Sequence, residues 1–140
     1  MAAFFLLTCR SYGALEWLPF LSSSTNMWLL QSFGWLYFFF YSNDEFEIMK
    51  VDIEMCKQSG CDGVVIGLLK EDGSVDKKRC RELVALAFPL SVTFHRAFDR
   101  TKDPFRALED IIETGCGRIL TSGQQPKAVD GVQIIKELIA

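Results

Sequence analysis

The sequence predicts an α/β chain built from repeating strand–helix units with parallel strands. Three observations carry that reading. Apolar stretches begin near residues 63, 91 and 117, at steps of 28 and 26 residues, the length of one βα unit. Stripes of apolar residues at helical spacing fill the intervals between them. The joints GCDGVVIG (60–67) and GCGRILTSG (115–123) repeat one order: a glycine that stops a helix, a cysteine, then a strand. Strands separated by helices pair in parallel through right-handed crossovers. Such a pattern fits a segment of a barrel or of a doubly wound sheet.

The elements follow in order. Ser42 or Asn43 caps a first helix from Asp44, with Asp44, Glu45 and Glu47 in the first turn, where the helix dipole favours anions. Phe46, Met49, Ile53 and Cys56 form its apolar stripe, and Gly60 ends it. Residues 63–69, GVVIGLL, are apolar without alternation, as a strand covered on both faces reads. Glu71-Asp72-Gly73 is a turn. Asp76 caps a second helix with stripe Cys80, Leu83, Val84 and Ala87, stopped by Pro89. Residues 90–94 are the second strand. Asp103-Pro104 opens a third helix, because an acidic cap followed by proline at the first helical position is a strong start. Phe105, Leu108, Ile111 and Ile112 are expected to face inward, with Gly115 closing the helix. Residues 118–121 are the third strand. A last helix is expected from about Pro126, with Val129, Val132, Ile135 and Leu138 on its buried side.

The first 41 residues differ from the rest. They hold 13 of the 18 aromatic residues and only two charges, Arg10 and Glu16. MWLLQSFGWLYFFFY is 15 residues long, whereas a membrane-spanning helix needs about 20. MAAFFLLTC lacks the basic start of a signal peptide. The expectation is therefore two regions: residues 1–40, an aromatic segment arising from an alternative start or splice, and residues 41–140, the βα domain. Membrane attachment is not expected.

With 140 residues, the chain is long enough for one core. A net charge of −3 gives no basic face for nucleic acid. Neither a GxGxxG nor a Walker motif is present. The five cysteines form no CxxC pair, and reduced thiols in a cytoplasmic protein are expected.

Parallel βα architectures place working groups at the carboxyl ends of strands. The first end offers Glu71 and Asp72. The second offers His95, Arg96 and Asp99, in the stretch SVTFHRAFD. The third offers Ser122 and Gly123. His95 is a candidate metal ligand or proton carrier, against a histidine merely hydrogen-bonded at the rim. Arg96 is a candidate anion clamp, against an ion pair with Asp99. Ser122 and Gly123 are weak candidates for an anion site made by backbone N–H groups at a following helix, against a plain turn. Copper(I) favours soft sulfur donors, but Cys56, Cys80, Met49 and Met55 lie on helices as packing residues, and no two thiols converge in the pattern.

The motifs VTFHRAFD, DGVVIGLLKEDGSVD and DPFRALEDIIETGCGRILTSG, with FFYSNDEFEIMKVDI before them, resemble the CutC family of copper homeostasis proteins. The resemblance runs from about Phe39 to Ala140; residues 1–38 do not share it. It implies an incomplete TIM-type (β/α) barrel with three parallel strands and alternating helices. It also implies an oligomeric protein of the cytoplasm, with the nucleus as a second location, that binds copper as Cu(I). The family's copper-binding cysteines would lie outside the matched part, so that copper handling is expected to be impaired by truncation. No catalytic activity is implied. The alternatives are a barrel enzyme acting on a small anionic substrate, with His95 as acid/base and Arg96 as clamp, and a splice product that binds other subunits through exposed sheet edges.

Overall fold

A computed structural model describes residues 39–140. The order is α1 (Asn43–Gln58), β1 (Gly63–Ile66), α2 (Lys77–Ala87), β2 (Ser91–Phe94), a 3-10 turn (Arg96–Arg100), α3 (Pro104–Thr114), β3 (Arg118–Ile119) and α4 (Val132–Ile139). The sheet order is β1-β2-β3, and each pairing is parallel. The expected α/β repeat of three parallel strands with alternating helices is present.

Local chemistry sets the helix ends. Ser42 caps α1 in a reciprocal box: the Glu45 N–H donates to Ser42 Oγ at 3.2 Å, and the Ser42 N–H donates to the Glu45 carboxylate at 2.7 Å. The side chain of Asp76 caps α2, and that of Asp103 caps α3 with Pro104 behind it. Gly115 ends α3 in the left-handed region at φ 88°, where a side chain would be strained.

Register places Val64 and Ile66 beside Val92 and Phe94 on one sheet face. That face packs on Ile53 of α1, on Cys80 and Leu83 of α2, and on Ile111 of α3, all fully buried. Each such aliphatic side chain contributes about 2–3 kcal/mol of burial. Polar links tie the helices side by side. Lys50 meets Glu82 at 2.7 Å, Lys77 meets Asp110 at 2.9 Å, and Arg79 donates to the Tyr41 carbonyl at 2.6 Å.

Four expectations need correction. The strands are covered on one face only: Val65 and Thr93 on the other face are half-buried, and Ser91 and Arg118 are exposed. Inward-facing residues of a barrel segment are apolar too, so lack of alternation could not tell one covered face from two. On α3, Phe105 and Ile112 are exposed, while Ala107, Ile111 and Thr114 are buried; α3 packs mainly beside α2, with the 3-10 turn and α4 as further neighbours. The last helix starts at Val132 rather than near Pro126, because residues 123–131 form consecutive turns. Val129 is 72% exposed, Val132 is exposed, and Ile135 and Leu138 are only half-buried.

Candidate functional site

The carboxyl ends of β2 and β3 carry the densest set of polar contacts. His95 is the last rung of β2, its N–H donating to the Ile66 carbonyl at 2.8 Å. The chain then turns into the 3-10 segment, and the imidazole caps that turn: the Ala97 N–H donates to His95 Nδ1 at 3.0 Å. The ring lies over Gly67, the residue after β1. A Cβ at Gly67 would stand 2.3 Å from His95 Cε1 and 2.4 Å from Nδ1. The Phe39 ring also packs against the imidazole, with centroids 4.9 Å apart. Burial among these groups pushes the imidazole pKa down to about 4, opposed by its own carbonyl, so the ring is neutral at pH 7. A neutral ring with Nδ1 as acceptor carries its proton on Nε2. No described residue accepts a hydrogen bond from that nitrogen.

Four residues on, Asp99 organises the loop after β3. Its side chain is 6% exposed. Its carboxylate accepts from the Ser122 N–H at 3.1 Å to each oxygen, from the Gln124 N–H at 3.1 Å and from the Thr121 hydroxyl at 2.5 Å. Arg96 Nε donates to it at 2.9 Å. The second guanidinium nitrogen of Arg96 donates to Ser122 Oγ at 2.6 Å. Burial alone would raise the Asp99 pKa; donation from Thr121, Arg96, Gln124 and Ser122 outweighs it and holds the carboxyl below its usual range.

The structure therefore brings His95, Arg96, Asp99, Ser122 and Gly123 to one end of the sheet. Arg96 is in an ion pair with Asp99, the alternative set beside the anion clamp. The backbone amides of Ser122 and Gln124 already hold an anion, the chain's own carboxylate, and the Gly123 N–H donates to Thr121 Oγ1 at 2.9 Å. Nor do they open a helix, since α4 begins at Val132. The anion-site expectation for Ser122 and Gly123 thus loses its helix terminus, and its donors are committed. Glu71 and Asp72 belong to a turn bridged by Leu69 and Val75, with Asp72 accepting from Ser74.

Copper(I) fits the described residues poorly. They hold no group of three or more histidine, cysteine or acidic side chains able to share a metal ion. Cys80 is fully buried, its thiol pushed up to about 12 by desolvation, which disfavours the thiolate a metal needs. Cys56 and Cys61 are buried as well. With His95 Nδ1 taken by the Ala97 N–H, the other ring nitrogen carries the proton, not a free lone pair.

Phe39, Gly67, Thr121 and Gln124 are site residues that sequence reasoning missed. A signal existed for Gly67: parallel register sets Ile66 beside Phe94, so the next position on β1 is a glycine opposite the chain's single histidine.

A sequence model of the CutC family matches residues 37–140. The chain is 52% identical over 100 residues to a CutC family protein of Chromobacterium violaceum, covering 71% of this chain and 40% of that protein. It is 52% identical to the copper homeostasis protein cutC homolog of Mus musculus and 50% identical to that of Homo sapiens, each over 101 residues, 72% of this chain and 37% of the relative. The chain thus spans about 40% of the length of these curated relatives. Among solved structures it resembles the copper homeostasis protein CutC of Streptococcus agalactiae, with a TM-score of 0.68 and 27% identity, covering 72% of this chain and 50% of that one.

Proposed function

The chain belongs to the CutC family, and on that premise we propose that it takes part in copper homeostasis as a partial TIM-type barrel. The observation that supports this is the unbroken match from residue 37 to residue 140, which includes the histidine-bearing end of β2. The cargo is copper as Cu(I), and its donors lie beyond the residues described here, whose thiols at Cys56, Cys61 and Cys80 are buried. We assign the protein to the cytoplasm, with the nucleus as a second location, as a homo-oligomer that binds neither membrane nor nucleic acid. In support, no helix among the described residues is long and apolar enough to cross a membrane, and the net charge of −3 gives a polyanion no counterpart.

The test is an anaerobic Cu(I) titration of the full 140-residue chain against a chromophoric copper(I) chelator. Retention of about one equivalent supports the copper reading. Complete transfer of copper to the chelator removes copper binding from the proposal and leaves family membership intact.

A second reading is favoured by the neutral, partly accessible imidazole at a strand's carboxyl end: a barrel acting on a small oxygen-bearing substrate. Such a substrate would meet His95 first. Arg96 would act there as the partner that fixes Asp99, since its Nε and one terminal nitrogen are already bonded.

A further inference from the structure

We propose that His95 is held by the backbone as a fixed Nε2–H hydrogen-bond donor, with Gly67 as its positioning residue, and serves an oxygen acceptor rather than a copper ion. This rests on the strand-end rim being the working face and is independent of whether copper binds elsewhere on the chain.

Three contacts fix the ring. The Ala97 N–H points at Nδ1 from 3.0 Å. An amide hydrogen cannot share that position with a second hydrogen, so the Nδ1–H tautomer would face two donors head on and lose the cap of the 3-10 turn. The absence of a side chain at Gly67 lets the ring lie flat against β1; a methyl there would overlap Cε1, Nδ1 and, at 2.9 Å, Nε2. Phe39 packs against the ring, tilted by 50°, with centroids 4.9 Å apart. The Nδ1–H tautomer would keep only its own carbonyl as a partner and would lose the Ala97 cap, so the ring is held with Nε2 protonated. Metal coordination through Nε2 requires a lone pair there, and with it a proton moved to Nδ1. An oxygen acceptor requires nothing to move: a carbonyl, carboxylate or phosphoryl oxygen meets the N–H of a half-buried ring in an apolar surround, where a hydrogen bond is stronger than in water. No charged side chain contributes to the state of the ring, so its donor character is set by shape and backbone.

The chain contains one histidine, so an imidazole nitrogen spectrum has one possible source. The experiment is a long-range 1H–15N correlation on the uniformly 15N-labelled full chain at pH 7, followed by separate titrations with sodium phosphate, sodium acetate and Cu(I). The expected result is a protonated Nε2 and an unprotonated Nδ1, a saturable Nε2 shift with phosphate or acetate, and no tautomer change with one equivalent of Cu(I). Phosphate alone acting identifies a phosphoryl acceptor; acetate alone identifies a carboxylate. A protonated Nδ1, silence towards both anions, or a copper-induced loss of the Nε2 proton overturns the proposal. Gly67→Ala is expected to mix the tautomers and abolish the anion-dependent shift; an unchanged spectrum in that variant overturns the role of Gly67.

Discussion

Both carboxylate oxygens of Asp99 accept from the one backbone N–H of Ser122, at 3.1 Å each, so the 3-10 turn after β2 is stapled to the loop after β3. The staple acts on backbone, and its carboxylate is nearly closed off from solvent. Removing one partner of a buried charged network costs about 3–5 kcal/mol, because the others lose their compensation. Asp99→Asn is therefore expected to destabilise the chain by about 3 kcal/mol. Arg96→Ala is expected to cost only about 1 kcal/mol, since the guanidinium is 52% exposed and its pair is screened. Urea unfolding of the two variants checks the order; an equal or larger loss for Arg96→Ala would show that the ion pair, not the amide clasp, holds the loop.

Two groups on this rim give stability an acid limb in separate windows. The His95 pKa is lowered by burial from 6.5 to about 4. Between those values the unfolded chain binds the extra proton, so stability is fully present above pH 6.5 and falls as pH drops towards 4. The slope for one proton is at most about 1.4 kcal/mol per pH unit. The Asp99 pKa is lowered from 3.8, so its contribution persists above 3.8 and is lost only as pH falls further. His95→Gln should flatten the first window and leave the second. Denaturant midpoints measured from about pH 2.5 to pH 7 provide the check, and a His95→Gln curve parallel to the wild type would contradict the burial of a neutral ring.

The alkaline limb has different sources. Burial raises the Cys80 pKa from 9.0 to about 12, and that of Tyr41 from 10.0 to about 12, with a smaller push from Glu45. These groups stay neutral in the fold while the unfolded chain ionises. Stability is therefore full below pH 9 and declines as pH rises towards 12, first through Cys80 and through Cys116, whose thiol is likewise raised from 9.0 by burial. Cys80→Ala should shrink the part that begins near pH 9, leaving the share of Cys116, at a cost at neutral pH of about 1–2 kcal/mol from the small cavity. Alkylation under native conditions at pH 8 should spare Cys80 until the chain unfolds; rapid labelling by iodoacetamide would refute its sealed position.

The βα rhythm was legible because helix stops, caps and strand starts are local: Asp103-Pro104 and Gly115 act within a few residues of their own sequence positions. The site was legible only in outline. His95, Arg96 and Asp99 could be placed at a strand end, but their partners come from other units: Gly67 from β1, and Ser122 and Gln124 from the loop after β3. Nothing in the local sequence states which amides a carboxylate 23 residues away will take. The same limit explains α4. Pro126 is a good helix opener by itself, yet the chain uses residues 123–131 to turn back, with Gln124 at a left-handed φ of 60° held by its N–H to Asp99.

The return of that loop depends on two glycines pressed back to back. A Cβ at Gly131 would stand 2.0 Å from the Ser122 carbonyl oxygen, and one at Gly123 would stand 2.4 Å from the Gly131 carbonyl oxygen. Both obstacles are backbone, so no side chain can swing away to relieve them. Gly131 also precedes α4 directly. Gly131→Ala must therefore either separate the loop from the Asp99 clasp or displace α4 from the cleft it shares with α3, where Ile135 and Leu138 face Leu108 and Ile112. Overpacking of this kind costs about 1–3 kcal/mol. Val129→Ala, two residues earlier but 72% exposed, should change stability by less than about 0.5 kcal/mol. Amide hydrogen exchange distinguishes the two routes. Faster exchange confined to α4 means the helix has moved, whereas faster exchange at Ser122 and Gln124 means the clasp has opened. Wild-type exchange at both places in Gly131→Ala would show that the loop tolerates a side chain there, and that the close approach does not govern its path.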